Sequence, residues 1–119
     1  MPKNAKIFLV DDNDDLREKL KYFLSQNGHQ IVLEANSLED ALKKTKGIIL
    51  KSVDIAIVDG CLTLDGNSGE DGKRIVGTLR EEFPTIKIIG FSSHRTEFGD
   101  INLRKSENLI ELEKAIEHL

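Results

Sequence analysis

One stretch decides the fold of this chain, Val53-Asp54-Ile55-Ala56-Ile57-Val58-Asp59. Residues 53–58 predict a strand that is apolar on both sides, which is typical of a central strand in a parallel sheet. The strand runs directly into the carboxylate of Asp59. Because ligands bind at the carboxyl ends of the strands in an open parallel sheet, this stretch predicts the middle of a sheet and the edge at which a site lies.

Strand-like and helix-like segments alternate on either side of this stretch, which predicts an α/β fold with a mostly parallel sheet. The predicted strands are residues 5–10, 30–34, 53–58, 86–91 and 100–104. The predicted helices are residues 13–27, residues 37–46, a third from Asp71 to before Pro84, and a last helix that begins after the N-cap Ser106. A chain of 119 residues is long enough for one hydrophobic core and too short for two. We therefore expect a single domain over residues 1–119.

Four of the predicted strands end on polar residues. The first runs into Asp11 and Asp12, the third into Asp59, the fourth into Ser92 and the fifth into Lys105. Each residue alone has an ordinary explanation, as a helix N-terminus, a turn or a surface lysine. At one sheet edge, however, three carboxylates, a hydroxyl and an ammonium form a site for a divalent metal and phosphate, and Mg²⁺ prefers such oxygen ligands.

The composition excludes several classes of protein. A formal net charge of -4 is unlike the basic balance of nucleic-acid-binding domains. No apolar stretch approaches the roughly 20 residues that a membrane-spanning helix needs. The single cysteine, Cys61, excludes an internal disulfide and fits a reducing compartment. We expect a cytoplasmic protein with neither nucleic acid nor membrane as a partner.

Taken in order, these motifs resemble the receiver domain of bacterial two-component response regulators, of the chemotaxis-receiver type. The resemblance covers nearly the whole chain and rests on the pair Asp11-Asp12, on Asp59, on Asp71-Gly72 opening the third helix, on Ser92 and on Lys105. It implies a flavodoxin-like, doubly wound parallel sheet of five strands in the order 2-1-3-4-5.

The resemblance also implies a Mg²⁺ site. By similarity to the family, Asp12 would bind the ion directly and Asp11 through water. Asp59 and the backbone carbonyl of Cys61 would supply further oxygen ligands.

A phosphorylation reaction at Asp59 follows from the same resemblance. Asp59 would be the nucleophile that takes a phosphoryl group from a phosphohistidine on a sensor histidine kinase or a histidine phosphotransfer protein. Ser92 would hydrogen-bond the phosphoryl group and Lys105 would form an ion pair with it. The chain would then be a switch that catalyses its own phosphorylation and dephosphorylation, with a downstream effector that the sequence does not identify.

The connection before the fifth strand departs from the family. Only residues 93–99 separate Ser92 from that strand, whereas parallel crossovers usually need a dozen or more residues. Returning along a five-residue strand requires about 16 Å, and seven extended residues reach roughly 23–25 Å. We therefore expect an extended crossover, with the usual fourth helix shortened or missing. An antiparallel fifth strand is the alternative, and it would place Lys105 at the wrong end of the sheet.

Two other functions remain open at this point. The first is a pseudo-receiver, a protein-interaction module that works without phosphorylation. The second is a haloacid-dehalogenase-like phosphatase, whose motif Asp12-Asn13-Asp14 superficially matches. The phosphatase is disfavoured because the chain has no room for a cap and because Asp59 would have no role.

Overall fold

The computed structural model describes residues 4–45, 53–59, 70–93, 96–105 and 108–119. The elements in chain order are β1 Lys6–Val10, α1 Asp14–Gln26, β2 Gln30–Ala35, α2 Leu38–Thr45, β3 Ile55–Val58, α3 Glu70–Glu82, β4 Lys87–Ser92, β5 Ile101–Arg104 and α4 Leu109–His118. The predicted boundaries agree to within a few residues. Among the described residues, no helix combines the length and the apolar character needed to cross a membrane.

The cap of the last helix was predicted wrongly. Asn108, not Ser106, is the N-cap of α4, and its Oδ1 accepts a hydrogen bond from the backbone N–H of Ile110 at 2.8 Å. Both residues have short polar side chains suited to capping, and the sequence pattern does not separate them by position. Ser106 lies outside the described residues.

The five strands form one sheet in the order β2-β1-β3-β4-β5, and all four pairings are parallel. The predicted flavodoxin-like order is confirmed. The central strand β3 is buried at all four positions, as its apolar sequence predicts. Its partners lie in simple register, with Ile57 opposite Leu9 of β1 and Ile89 of β4.

Side chains that alternate along the strands build a core on each face of the sheet. One core contains Phe8, Val10, Ala56, Val58 and Ile88 of the strands with Ile75 and Leu79 of α3. The other contains Ile7, Leu9, Ile55, Ile57 and Ile89 with Leu20 of α1 and Leu112 of α4. Helices therefore cover both faces, which leaves the carboxyl edge of the strands as the place where polar side chains can meet.

The crossover from β4 to β5 is short and ends in a parallel strand. It spans residues 93–100, and β5 pairs with β4 from Ile89 opposite Ile101 to Ser92 opposite Arg104. The antiparallel alternative is thereby excluded. The described residues of the crossover, 93 and 96–100, form no helix, in agreement with the predicted loss of the fourth helix. Asn102 and Arg104 are exposed, as expected for an edge strand whose covering helix is missing.

Candidate functional site

Three carboxylates meet at the carboxyl edge of the two central strands. Asp11 and Asp12 follow β1, Asp59 follows the adjacent β3, and one carboxylate oxygen from each lies within 4.8 Å of the other two. Sheet-type bonds hold the two strand ends in place: the N–H of Asp59 donates to the carbonyl of Val10 at 2.9 Å and that of Asp11 to the carbonyl of Ala35 at 3.1 Å. Asp11 and Asp59 are buried, whereas Asp12 is exposed, so the cluster opens to solvent on the Asp12 side.

Lys105 brings a positive charge to this cluster. Its Nζ lies 2.8 Å from Asp11 Oδ2 and 3.0 Å from Asp59 Oδ2. The N–H of Lys105 donates to the carbonyl of Ser92 at 2.8 Å, which continues the β4–β5 ladder to the edge of the sheet. The structure therefore brings Lys105 together with the acids, as the strand-end pattern predicts.

The pKa values of the paired groups reflect burial and mutual attraction. Burial raises the pKa of the Asp11 carboxyl above its ordinary value, although the Lys105 ammonium and the N–H of Asn13 act in the opposite direction. Burial alone would lower the pKa of Lys105, but the hydrogen bonds and charges of Asp11 and Asp59 outweigh it and the pKa lies above its ordinary value. Lys105 is therefore an ammonium at neutral pH.

The charges and donor atoms of the site fit a divalent cation. The site holds three acidic side chains and one basic side chain, so acidic groups outnumber basic ones by two. All candidate ligand atoms of the carboxylates are oxygens, the type that Mg²⁺ selects, and the exposed Asp12 leaves space for the waters that Mg²⁺ retains. The fourth predicted ligand, the carbonyl of Cys61, lies outside the described residues.

Ser92 and Asp71 complete the predicted set. Ser92 is the last residue of β4 and is fully buried, beyond Gly90, which stands opposite Val58 in the β3–β4 register. It therefore lies at the same edge as Asp59, one strand further along the sheet. Asp71 lies in the first turn of α3 and is also buried.

Arg17 is a contributor to the site that the sequence did not single out. Its Nη1 donates to the backbone carbonyl of Asp11 at 2.8 Å, while its Nε pairs with Glu34 at 3.1 Å. The Asp11 carboxylate is held at both oxygens, because Oδ1 accepts from the N–H of Asn13 at 2.9 Å and Oδ2 lies 2.8 Å from Lys105 Nζ. No local sequence pattern marks Arg17, because its pairing with Asp14 three residues earlier is an ordinary contact on a helix surface.

Comparison with known proteins identifies the family. The sequence model of the response regulator receiver domain matches residues 7–117, so this chain belongs to the response regulator receiver family. The resemblance drawn from the five motifs is thus confirmed. The chain is a receiver domain of two-component signalling.

Individual relatives agree with this assignment. The CAI-1 autoinducer sensor kinase/phosphatase CqsS of Vibrio cholerae is 26% identical over 87 residues, which is 73% of this chain but 12% of that protein. The chain thus spans about an eighth of the length of its curated relative.

Solved structures show the same fold. A LuxR-family two-component response regulator from an Aurantimonas species is 25% identical with a TM-score of 0.79, over 97% of this chain and 84% of that one. A chain of the CheX–CheY–BeF3–Mg complex of Borrelia burgdorferi is 17% identical with a TM-score of 0.80, over 96% and 87% of the two chains. A CheY-like receiver of Methanospirillum hungatei is 18% identical with a TM-score of 0.79, over 97% and 92%. At 17% and 18% identity, the last two support the fold alone.

Proposed function

We propose that this receiver takes a phosphoryl group from phosphohistidine onto Asp59, in a reaction that depends on Mg²⁺, and that the modified domain binds a different partner. The observation that carries the proposal is the placement of Asp59. Its carboxylate is buried, lies beside two further carboxylates and is ion-paired with Lys105 at 3.0 Å. A nucleophile, a cation-binding cluster and a fixed positive charge thus share one small site.

The reaction needs little beyond positioning and charge neutralisation. An oxygen of Asp59 attacks phosphorus, the bond from phosphorus to the donor imidazole breaks, and its electron pair returns to the imidazole nitrogen. Charge in such a loose transition state is spread over the equatorial oxygens of the phosphoryl group. Lys105 would stabilise that charge from the β5 side and the Ser92 hydroxyl from the β4 side. Attack of water on the same phosphorus would break its bond to the Asp59 oxygen, releasing inorganic phosphate and the free carboxylate.

Mg²⁺ is the proposed cofactor. Asp12 would hold it directly, Asp11 through water, and Asp59 and the Cys61 carbonyl would add oxygen ligands. When bound, the ion supplies positive charge that relieves the repulsion among the three carboxylates and neutralises the incoming phosphoryl oxygens. The contacts of the Asp11 carboxylate with Asn13 and Lys105 fix its orientation, while Arg17 holds the backbone carbonyl of Asp11.

The proposed donor is a sensor histidine kinase or a histidine phosphotransfer protein, in the cytoplasm. The curated relative is named as a sensor kinase/phosphatase, which supports signalling proteins of this kind as partners. Residues 1–119 would act as one receiver unit, and the downstream effector stays undefined.

A second candidate, the pseudo-receiver, is favoured by the crossover between β4 and β5. Receivers ordinarily use the helix of this region for output, and the described residues of the crossover here form none. A domain of this kind would bind its partner whether or not Asp59 is phosphorylated.

Incubation with acetyl phosphate and Mg²⁺, followed by intact-mass measurement, tests the proposal. We expect a mass increase of one phosphoryl group on the wild-type protein. We expect no increase when EDTA is present from the start of the incubation, and none on the Asp59→Asn variant. Asp15→Asn, which changes an exposed acid of the same region, should retain the adduct. Absence of any adduct on the folded wild-type protein would reject the proposal in favour of the pseudo-receiver.

A further inference from the structure

Lys105 reaches the acidic cluster only if the short crossover sets β5 in the correct register. We propose that Asn102 is a positioning residue. Its side-chain hydrogen bonds hold the crossover in place and thereby position the ammonium of Lys105 beside Asp11 and Asp59. Any effect of this positioning on phosphoryl transfer rests on the proposed function. Its effect on cation binding does not, so cation binding tests the inference separately.

The side chain of Asn102 makes three hydrogen bonds to the crossover. Its Oδ1 accepts from the N–H of Gly99 at 3.0 Å and from the hydroxyl of Thr96 at 3.2 Å, and its Nδ2 donates to the carbonyl of Gly99 at 3.1 Å. One amide thus satisfies both backbone groups of Gly99, as a neighbouring strand would. These bonds close residues 96–102 into a compact unit where the family normally has a helix.

Two glycines allow this unit to lie directly on β4. A Cβ atom on Gly90 would stand 2.5 Å from Asn102 Oδ1 and 2.8 Å from Thr96 Oγ1. A Cβ on Gly99 would stand 2.7 Å from the backbone nitrogen of Gly90. Gly90 is also the register partner of Asn102 in the β4–β5 pairing. The amide therefore fills the space that a side chain at position 90 would otherwise occupy.

Other side chains anchor the beginning of β5, and the rest of the strand is held to β4 by the parallel ladder. Asp100 accepts from the N–H of Ile88 through Oδ2 at 2.8 Å, and its own N–H donates to the carbonyl of Ile88 at 2.8 Å. Arg80 of α3 lies 3.5 Å from Asp100 and donates to the carbonyl of Phe98 at 3.3 Å. Asn102 is the next anchoring side chain along the strand, three residues before Lys105.

Register matters because the strand carries Lys105 rigidly. Each residue of a strand advances about 3.3 Å, and a slip by one residue turns every side chain to the other face. The 2.8 Å and 3.0 Å contacts of the ammonium would not survive such a shift. Loss of the Asn102 hydrogen bonds would therefore displace Lys105 and so change its contacts with the acidic cluster.

Mg²⁺ titration of the unphosphorylated protein tests this role. Lys105 competes with the cation for Asp11 and Asp59, so Lys105→Ala should tighten Mg²⁺ binding by roughly tenfold. If Asn102 positions Lys105, then Asn102→Ala should change the affinity in the same direction, by roughly threefold. In the Lys105→Ala background, Asn102→Ala should then add nothing. Asn27→Ala, which removes another exposed asparagine bond at the far end of α1, should leave the affinity unchanged.

A merely structural role predicts a different pattern, in which Asn102→Ala weakens Mg²⁺ binding, or leaves it unchanged, in both backgrounds. Either result would overturn the inference. Thr96→Val removes only the hydrogen bond from Thr96 to Asn102 and is the milder variant if Asn102→Ala does not fold. It should tighten Mg²⁺ binding by a smaller factor. The affinities are measured without a phosphoryl donor. Failure of the wild-type protein to become phosphorylated would therefore reject the proposed function and leave this inference standing.

Discussion

At the scale of single residues, Asp12 differs from the other two acids of the site in its exposure. Asp11 and Asp59 are buried and paired with Lys105, whereas Asp12 is exposed to solvent. Loss of a buried, paired carboxylate would disturb both the fold and the metal site. Loss of the exposed carboxylate should affect the metal site alone.

Asp12→Asn is therefore expected to weaken Mg²⁺ binding by at least about tenfold while leaving the melting temperature of the metal-free protein nearly unchanged. Isothermal titration calorimetry and thermal unfolding measure the two quantities. Asp15→Asn is the matched control and should alter neither. An Asp12→Asn protein that binds Mg²⁺ as tightly as the wild type would remove Asp12 from the ligand set.

Sequence reasoning located the charged residues of the site because each follows a strand, and strand ends share one edge. The convergence of Asp11, Asp12 and Asp59 with Lys105 follows from that rule. The role of Arg17 did not follow. Its side chain bridges the carbonyl of Asp11 and the carboxylate of Glu34 in β2, and the placement of β2 beside α1 is not encoded in local pattern.

At the scale of elements, the packing of the crossover on β4 requires a glycine at position 90 but not at position 77. A Cβ on Gly90 would collide with Asn102 and Thr96, whereas a Cβ on Gly77 in α3 meets nothing within 4 Å. Both residues are glycines in regular elements, so the two substitutions form a matched pair.

Gly90→Ala should lower the free energy of unfolding by about 1–3 kcal/mol, because the added methyl group overpacks the crossover. Gly77→Ala should raise it by about 0.5–1 kcal/mol, because alanine is the better helix former. Urea unfolding of the two variants measures both effects. Equal effects of the two substitutions would show that the crossover does not lie on β4 as described.

A buried histidine joins the last helix to the sheet at the opposite edge. His29 Nδ1 accepts from the N–H of Ala5 at 3.1 Å, so its Nε2 carries the proton and donates to Glu113 at 2.7 Å. The histidine side chain is only 2% exposed. The pair thereby ties α4 to the loop before β2 and to the start of β1.

Glu113→Ala should destabilise the protein by about 1–3 kcal/mol, since it leaves the buried N–H of His29 without its carboxylate acceptor. Glu117→Ala removes an exposed glutamate from the same helix and should change the stability little. Chemical unfolding compares the two. Matching stabilities would mean that His29 finds an equivalent acceptor, such as water, once Glu113 is removed.

Periodicity predicted the helices and strands well. The length of the chain between the last two strands predicted a crossover too short for a regular helix. Chain-length arithmetic was enough for that conclusion, because a seven-residue segment can span the return only when extended. It could not show how the segment is held, because the Asn102 amide bonds to Thr96 and Gly99 within the crossover itself. The cap at Asn108 escaped prediction for a simpler reason: two suitable capping residues lie close together in the sequence.

At the scale of the whole molecule, the doubly wound sheet places three carboxylates at one edge, where Lys105 compensates only part of their charge. A cation that binds the folded chain and not the unfolded one stabilises it by mass action. At 100 times its dissociation constant, Mg²⁺ should add about 2.7 kcal/mol to the free energy of unfolding.

Denaturant unfolding with and without Mg²⁺, at ionic strength matched with NaCl, measures this gain. EDTA should abolish it, and Asp12→Asn should reduce it at the same Mg²⁺ concentration. Equal stability with MgCl2 and with matched NaCl would argue against a cation site at this edge.

The most direct test of phosphorylation at Asp59 is chemical mapping of the modified carboxylate. Protein treated with acetyl phosphate and Mg²⁺ is reduced with borohydride, which converts an aspartyl phosphate to homoserine, and the peptides are then sequenced by mass spectrometry. We predict homoserine at position 59 and at neither 11 nor 12. Homoserine at one of those two positions, or at none, would contradict the account.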